Sequence, residues 1–330
     1  MKTIAITGAT GFVGANLVRH FSKKTGFRVI AVGRSAQPPA GLLDCARYFQ
    51  ADLDRPIPQL ECDFCVHAAA VADDRAPLET LRKTNVLGTK NLLDALRSCQ
   101  VFVQISSSSV YDGTSELIFE EEKTEFSRLS NYGKTKLEAE ILLKNHPNRP
   151  KSTIVLRPRA IYGPGDRVLL PRILQTFKNG KITVPGDLRV ACSMTNMDNL
   201  IEAVEASLSA QNIDYQCFNV ADSQVYQLRD VFEKLLGNIF QQKPTICELP
   251  AGPLFWMADF LEKLGFRSKL NRQSMTYLTK PTVLDCSKIK NGLGVTLGKH
   301  FDMALPEIVD WVEKVGRGPV IRANADLPWR

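Results

Sequence analysis

A tyrosine and a lysine four residues apart, Tyr132 and Lys136 in the segment YGKTKLEAEILL, have a spacing that suits chemistry. On a helix they share one face. A free phenol has a pKa of about 10, too high for efficient proton transfer near neutrality. A neighbouring ammonium stabilises the phenolate and lowers that value. The alternative is a solvated Tyr/Lys pair with no chemical task. The serine run Ser106–Ser109, upstream at the end of an apolar strand, favours the chemical reading, because serines there project into the crevice where open α/β sheets bind ligands. Ordinary turn chemistry would also account for a serine run.

The third feature is TIAITGATGFVG at the amino end. A β-branched apolar run, Thr3–Thr7, meets glycines at positions 8, 11 and 14, and helical periodicity runs from Phe12 to Phe21. A strand that turns into a helix over glycines offers backbone N–H groups and a positive helix end to a pyrophosphate. Alone the motif is weak, and a ligand-free glycine turn would look the same. The next strand, Phe27–Val32, ends in Gly33-Arg34, where an acid would take the ribose hydroxyl of NAD and an arginine accommodates the 2′-phosphate of NADP. With no acid and Arg34 present, NADP is favoured over NAD. Asp52-Leu53 follows a third strand at Ala46–Gln50, placing a carboxylate within reach of an adenine edge. Ala68, Ala69 and Ala70 end a fourth strand spanning Cys62–Ala70, and their small side chains suit either a close cofactor or close packing.

These residues need a scaffold of alternating strands and helices. The pattern continues through a long helix over Thr84–Ser98, a fifth strand at Val101–Ile105, the helix begun by Tyr132, and a sixth strand at Ser152–Leu156 leading to Arg157. The fold class expected is α/β, a doubly wound parallel Rossmann sheet with a smaller mixed α/β C-terminal substrate region. Residues 1–165 form the nucleotide-binding unit, completed by returning segments near 190–222 and 285–315. Residues 166–330 form most of the substrate region, interleaved with the first. There, helices are expected at Val168–Lys178, Asp198–Ala210 with Asp198 as N-cap, Leu228–Leu236, Leu254–Leu264 and Pro306–Val315, and the tail after Gly316 along the surface.

Bulk properties exclude several classes. The net charge of +7 suits an anionic cofactor or substrate, but no lysine or arginine block indicates nucleic acid. No apolar run is long enough to span a bilayer, and the apolar segment Pro253–Phe266 reads as core or substrate lid ahead of interfacial attachment. The eight cysteines form no framework and the four histidines are isolated, so no metal site is expected, and the reducing cytoplasm is the default compartment. Cys62-Asp-Phe-Cys65 has the C-x-x-C spacing but leads into a strand and lacks a second ligand pair.

Together these stretches resemble the extended short-chain dehydrogenase/reductase family, also called the NAD-dependent epimerase/dehydratase family. TGATGFVG, VHAAAV, NVLGTKNLLDA, SSSSVY, YGKTK, LRPRAIYGPGD and TNMDNLIEAV are similar to its successive landmarks, and FDMALPEIVDWV to its terminal helix. The SMTNMDNL and LDCSKIKNGLG stretches look closest to its 3β-hydroxysteroid dehydrogenase-like branch. The resemblance implies a catalytic set of Ser107, Tyr132 and Lys136, with Ser108 the neighbour that could be confused with Ser107. Tyr132 exchanges the hydroxyl proton, Lys136 lowers its pKa and binds the nicotinamide ribose, and Ser107 holds the substrate oxygen. It further implies a cofactor cradle of Gly8, Thr10, Gly11, Phe12, Val13, Gly33, Arg34, Asp52, Leu53, Ala68–Ala70, Tyr132, Lys136 and Arg157. A homodimer through the helices after Thr84 and Tyr132 is the family's habit.

Three departures from the family pattern matter, the first being Gly33-Arg34 in place of the usual acid, as in its NADP-using reductases. Ser108-Ser109 stand where the family's dehydratases carry Asp-Glu, which disfavours elimination chemistry, since that needs an extra acid and base. Asp112 follows Tyr111 where the family has glycine. The expectation is an NAD(P)-dependent oxidoreductase interconverting a secondary alcohol and a ketone. A nucleotide-sugar 4-epimerase with tightly bound NAD is the runner-up, and a non-catalytic nucleotide sensor on this fold the alternative of another class. The partner is a small-molecule substrate of unnamed class.

Overall fold

Side-chain alternation in the strands sets the layers. In β1 (Lys2–Thr7), Ile4 and Ile6 enter one apolar core and Ala5 the opposite one, all fully buried. The computed structural model describes residues 1–73, 76–210, 213–254, 256–257 and 272–325. After β1 come α1 (Phe12–Ser22), β2 (Phe27–Gly33), α2 (Ala40–Cys45), β3 (Arg47–Gln50) and β4 (Phe64–His67). Next are α3 (Leu78–Arg82), a π-helical turn at Lys83–Leu87, α4 (Gly88–Ala95), β5 (Val101–Ile105), α5 (Asn131–Asn145) and β6 (Ser152–Pro158). Two-residue strands and 3-10 turns aside, there follow α6 (Leu169–Thr176), β7 (Lys181–Pro185), α7 (Met197–Ser209), β8 (Tyr215–Val220), α8 (Leu228–Phe240), β9 (Thr245–Leu249), α9 (Arg272–Thr279), α10 (Ser287–Leu293), α11 (Phe301–Val315) and α12 (Arg317–Ile321).

The central sheet has seven strands in the order β8-β6-β5-β4-β1-β2-β3, every pair parallel. Strand order reverses between β1 and β4, which opens a crevice at their carboxyl ends. One face of the sheet packs on α1 and α7 through Leu17, Val18, Phe21, Leu200 and Val204. The other packs on α4 and α5 through Leu92, Leu93 and Leu143. This is the doubly wound arrangement expected. A separate core joins α6, α8, α11 and α12 through Leu174, Leu235, Ile308 and Val320.

Several elements depart from expectation. The fourth strand stops at His67, and residues 68–70 leave the ladder, with the Ala69 N–H turned to the Thr7 hydroxyl at 3.1 Å. The crossover helix starts earlier than Thr84, passes through the π turn and ends at Ala95, because Leu96–Arg97 pair with Leu60–Glu61 as short parallel strands. Residues 40–45, directly after Pro38-Pro39, form α2. The helix expected over Val168–Lys178 is cut short, Phe177–Lys178 folding back on Lys181–Ile182. The cap of α7 is Asn196, whose side chain accepts the Asp198 N–H at 2.8 Å, so Asp198 lies in the first turn. The tail is tied down: α12 buries Val320 against α6, and Ala325 is also buried. Of the helix expected at Leu254–Leu264, Leu254, Trp256 and Met257 are described and helical, while its other residues, and most of the apolar segment Pro253–Phe266, lie outside the described residues. No described helix is long and apolar enough to cross a membrane.

Candidate active site

Close backbone approach explains the glycines of the first turn. Gly8 has φ +67°, and a Cβ there would lie 2.8 Å from the Ala69 nitrogen. A Cβ on Gly14 would lie 2.2 Å from the Gly8 carbonyl oxygen, so α1 packs onto the turn only without a side chain. The N-cap of α1 is Gly11, with no side-chain cap and no acid in the first turn, which leaves the helix's first N–H groups for an anion. These features fit a dinucleotide pyrophosphate. Thr10, Gly11, Phe12 and Val13 are all partly accessible around this end.

Around that cradle, a Cβ on Gly33 would meet the Tyr48 hydroxyl at 2.8 Å, so that position has no room for an acid. Arg34 is exposed and makes no ion pair with any described residue. Asp52 accepts the Asp54 N–H at 3.2 Å, and the Leu53 carbonyl is fixed by Asn91 at 2.8 Å. Ala68 and Ala69 are partly accessible and Ala70 exposed at the strand end.

The second half of the site forms where the serine turn meets α5. Ser130 caps α5 by accepting the Gly133 N–H at 3.1 Å, so Tyr132 and Lys136 fall in the first turns. A Cβ on Gly133 would lie 2.1 Å from the Ser109 carbonyl oxygen, so the serine turn sits directly on α5. The serines then separate. Ser106 is buried and donates to Glu140; Ser108 is buried; Ser107 and Ser109 are half-buried and share a 3.1 Å hydroxyl contact. Ser107 also accepts the Ser109 N–H at 3.1 Å, which fixes its side chain. Ser109 lies 3.5 Å from the Tyr277 hydroxyl of α9. Tyr132 remains half-buried.

Lys136 is buried, and its ammonium donates to the Ile105 carbonyl at 2.7 Å, the last residue of β5. Burial lowers its pKa from 10.5 to about 8, against the Glu140 charge, which raises it. Between those two values the unfolded chain holds more protons than the folded one, so this group's contribution to stability rises with pH, by at most about 1.4 kcal/mol per unit. Lys136→Met lacks that dependence. In urea unfolding of the cofactor-free protein, the stability of wild type relative to Lys136→Met is expected to improve from pH 8 to pH 10. A difference independent of pH would refute the assignment.

Two buried polar systems support these groups. The first joins the cofactor side to α5. The Thr7 hydroxyl bonds His67 Nδ1 at 2.7 Å, and His67 Nε2 meets the Thr89 hydroxyl at 3.1 Å. Thr89 donates to the Asn85 carbonyl at 2.7 Å. The Asn85 amide donates to the Thr135 hydroxyl at 3.0 Å, which donates to the Tyr132 carbonyl at 2.9 Å. Burial first, then the Lys136 charge, depress the His67 pKa to about 3, so the ring is neutral. In the second, Arg157 forms a buried ion pair with Glu140 at 2.6 Å and donates to the Tyr111 hydroxyl at 2.9 Å and the Glu120 carbonyl at 3.0 Å. Arg157, expected among the cofactor contacts, is thus committed to the interior beneath the serine turn.

Sequence patterns missed His67, Asn85, Thr135, Glu140 and Tyr277, because the contacts that give them a place come from separate elements. Asp112 also has a local task. Its carboxylate accepts N–H groups from Thr114 at 3.1 Å and Glu125 at 3.0 Å, folding the loop where the family pattern has glycine. Among the described residues no group of His, Cys, Asp and Glu is placed to hold a metal.

The chain is similar to known proteins. The chain is 30% identical over 284 residues to the UDP-glucose 4-epimerase of Vibrio cholerae, covering 80% of this chain and 85% of that one. It is 29% identical over 235 residues to the decarboxylating sterol-4-alpha-carboxylate 3-dehydrogenase of Candida albicans, covering 64% and 65%. The solved UDP-glucuronic acid 4-epimerase of Bacillus cereus, in complex with NAD, has the same fold at TM-score 0.73 and 21% identity, over 99% of both chains. The model of the NAD dependent epimerase/dehydratase family matches residues 4–221, which hold the glycine turn, the serine turn and the Tyr132–Lys136 pair. With that match over the segment that builds the site, the chain belongs to the NAD dependent epimerase/dehydratase family, the extended short-chain dehydrogenases/reductases, and is an NAD(P)-dependent enzyme of that group.

Proposed function

We propose that the protein is an oxidoreductase that interconverts a secondary alcohol and a ketone, with NADP preferred. The observation that carries this reading is the contact at Gly133, which seats the serine turn on the helix turn bearing Tyr132 and Lys136. Gly8, Gly11 and the open N-terminus of α1 would hold the pyrophosphate, and the Ala68–Ala70 strand end would lie along the dinucleotide. When bound, the nicotinamide supplies or accepts the hydride. Ser107 holds the substrate oxygen by its hydroxyl, and Tyr132 gives that oxygen its proton in reduction or takes it in oxidation. Lys136, mostly protonated at neutral pH, lowers the cost of the phenolate. The absence of an acidic pair after Ser107 weighs against a dehydratase.

Gly33 and Arg34 support NADP. Arg34→Glu is expected to weaken NADPH binding at least tenfold, the loss of one charge-assisted contact of about 1.5–3 kcal/mol, while NADH binding holds or improves. Fluorescence titration of reduced cofactor checks this, and equal effects on both cofactors would overturn the preference. The 4-epimerase remains the second reading, favoured by the identity to the Vibrio cholerae relative. A net absorbance change of reduced nicotinamide during turnover separates them, because the epimerase consumes none.

We further propose the division into a Rossmann unit at 1–165, completed from 190–222 and 285–315, and a substrate region from 166 onward. A homodimer through the helices after Thr84 and Tyr132 is supported by the exposed Leu87 and Ile141 on those helices. A cytoplasmic location is proposed from the eight cysteines, all free thiols.

A further inference from the structure

Two arginines stand at the carboxyl end of β6, and they are treated oppositely. Arg157 has the Glu140 carboxylate as its buried partner. Arg159 is also buried, 7% exposed, yet its guanidinium forms no ion pair or hydrogen bond with any described residue, and its Nε is sealed from solvent without a partner. The backbone around it is pinned. The Thr195 hydroxyl accepts the Arg159 N–H at 3.0 Å and donates toward the carbonyls of Arg159 and Val220 at 2.9 and 2.7 Å. The guanidinium lies 4.5 Å from the centre of the Tyr277 ring. The Tyr277 hydroxyl is 3.5 Å from Ser109, which contacts Ser107 at 3.1 Å. Arg159 therefore sits three contacts from Ser107 of the proposed reaction centre.

A guanidinium whose Nε is sealed without a partner carries a cost, since that donor loses water and gains nothing. A flat aromatic face offsets part of that cost but satisfies none of the in-plane donors. Those donors match a planar or tetrahedral oxyanion in paired fashion. We propose that Arg159 is the specificity residue of the substrate pocket and takes an oxyanion of the substrate, a carboxylate or a phosphoryl group, with Tyr277 stacked against the guanidinium. The substrate class is thus an anionic alcohol or ketone. This rests on reading Ser107, Tyr132 and Lys136 as the reaction centre.

The test follows thermal unfolding of the full chain, first with NADP and then, saturated with NADP, with inorganic pyrophosphate, UDP or D-glucuronate. Wild type, Arg159→Met and Arg159→Lys are compared. At least one anion is expected to stabilise wild type, with an apparent Kd raised about tenfold or more in Arg159→Met and less in Arg159→Lys. Loss confined to pyrophosphate and UDP names a phosphoryl group; loss confined to glucuronate names a carboxylate. Without anion, Arg159→Met should unfold at or above the wild-type temperature, because an unpaired buried charge is removed. A lower melting temperature would make Arg159 a structural residue stacked on Tyr277 and would overturn the proposal, as would anion shifts equal in all three proteins or absent from wild type. NADP stabilisation is read separately: its absence from wild type would count against the dinucleotide site, whatever Arg159 does.

Discussion

Tyr132→Phe is expected to reduce turnover about 10²–10⁴-fold, the range for loss of a positioned acid–base group. The fold and dinucleotide binding should survive, because the ring remains and the backbone contact from Thr135 reaches the Tyr132 carbonyl, not its hydroxyl. The assay is reduced-nicotinamide absorbance with a panel of carbonyl compounds, alongside fluorescence titration of NADPH. Retained turnover in Tyr132→Phe would remove the proton donor from the account. Ser107→Ala should act in the same direction by a smaller factor, since it removes an orienting hydrogen bond and leaves the proton donor in place.

Arg157→Met carries the largest expected cost in stability. It leaves the Glu140 carboxylate buried beneath the serine turn, with the Ser106 hydroxyl, the Cys217 thiol and the Lys136 charge nearby. Removing one partner of a buried ion pair costs about 3–5 kcal/mol. The double variant Arg157→Met/Glu140→Leu should recover most of that loss, because apolar groups replace both charges. Urea unfolding of the two proteins checks this. Equal destabilisation of the single and double variants would mean that the pair is not what holds the serine turn. The double variant also deprives Lys136 of the charge that raises its pKa, so the Lys136 pKa should fall further in it.

The parts of the site carried by local patterns were legible in the sequence. The glycine turn announced itself because each glycine answers a local steric demand, at Gly8 through positive φ and at Gly14 through helix-on-strand contact. Tyr132 and Lys136 were found by helical spacing, and the alternation of apolar runs foretold the parallel sheet. What stayed hidden depends on contacts distant in sequence. His67 is an isolated histidine in the sequence, and becomes a neutral relay between Thr7 and Thr89 only when β1, β4 and α4 meet. Arg157 enters the cofactor cradle through the family resemblance alone, and its pairing with Glu140 on α5 is a contact between separate elements that no local pattern marks. Nothing in the residues around Tyr277 marks them for Ser109 or Arg159.

The central claim is that a dinucleotide laid across Gly8–Gly14 brings its nicotinamide to Ser107, Tyr132 and Lys136. A crystal structure of the protein soaked with NADP tests it most directly. The account predicts pyrophosphate density at the amino end of α1, the 2′-phosphate beside Arg34, and the nicotinamide ribose within hydrogen-bonding reach of Lys136. Density for the dinucleotide elsewhere, or a nicotinamide turned away from Tyr132 and Ser107, would contradict it.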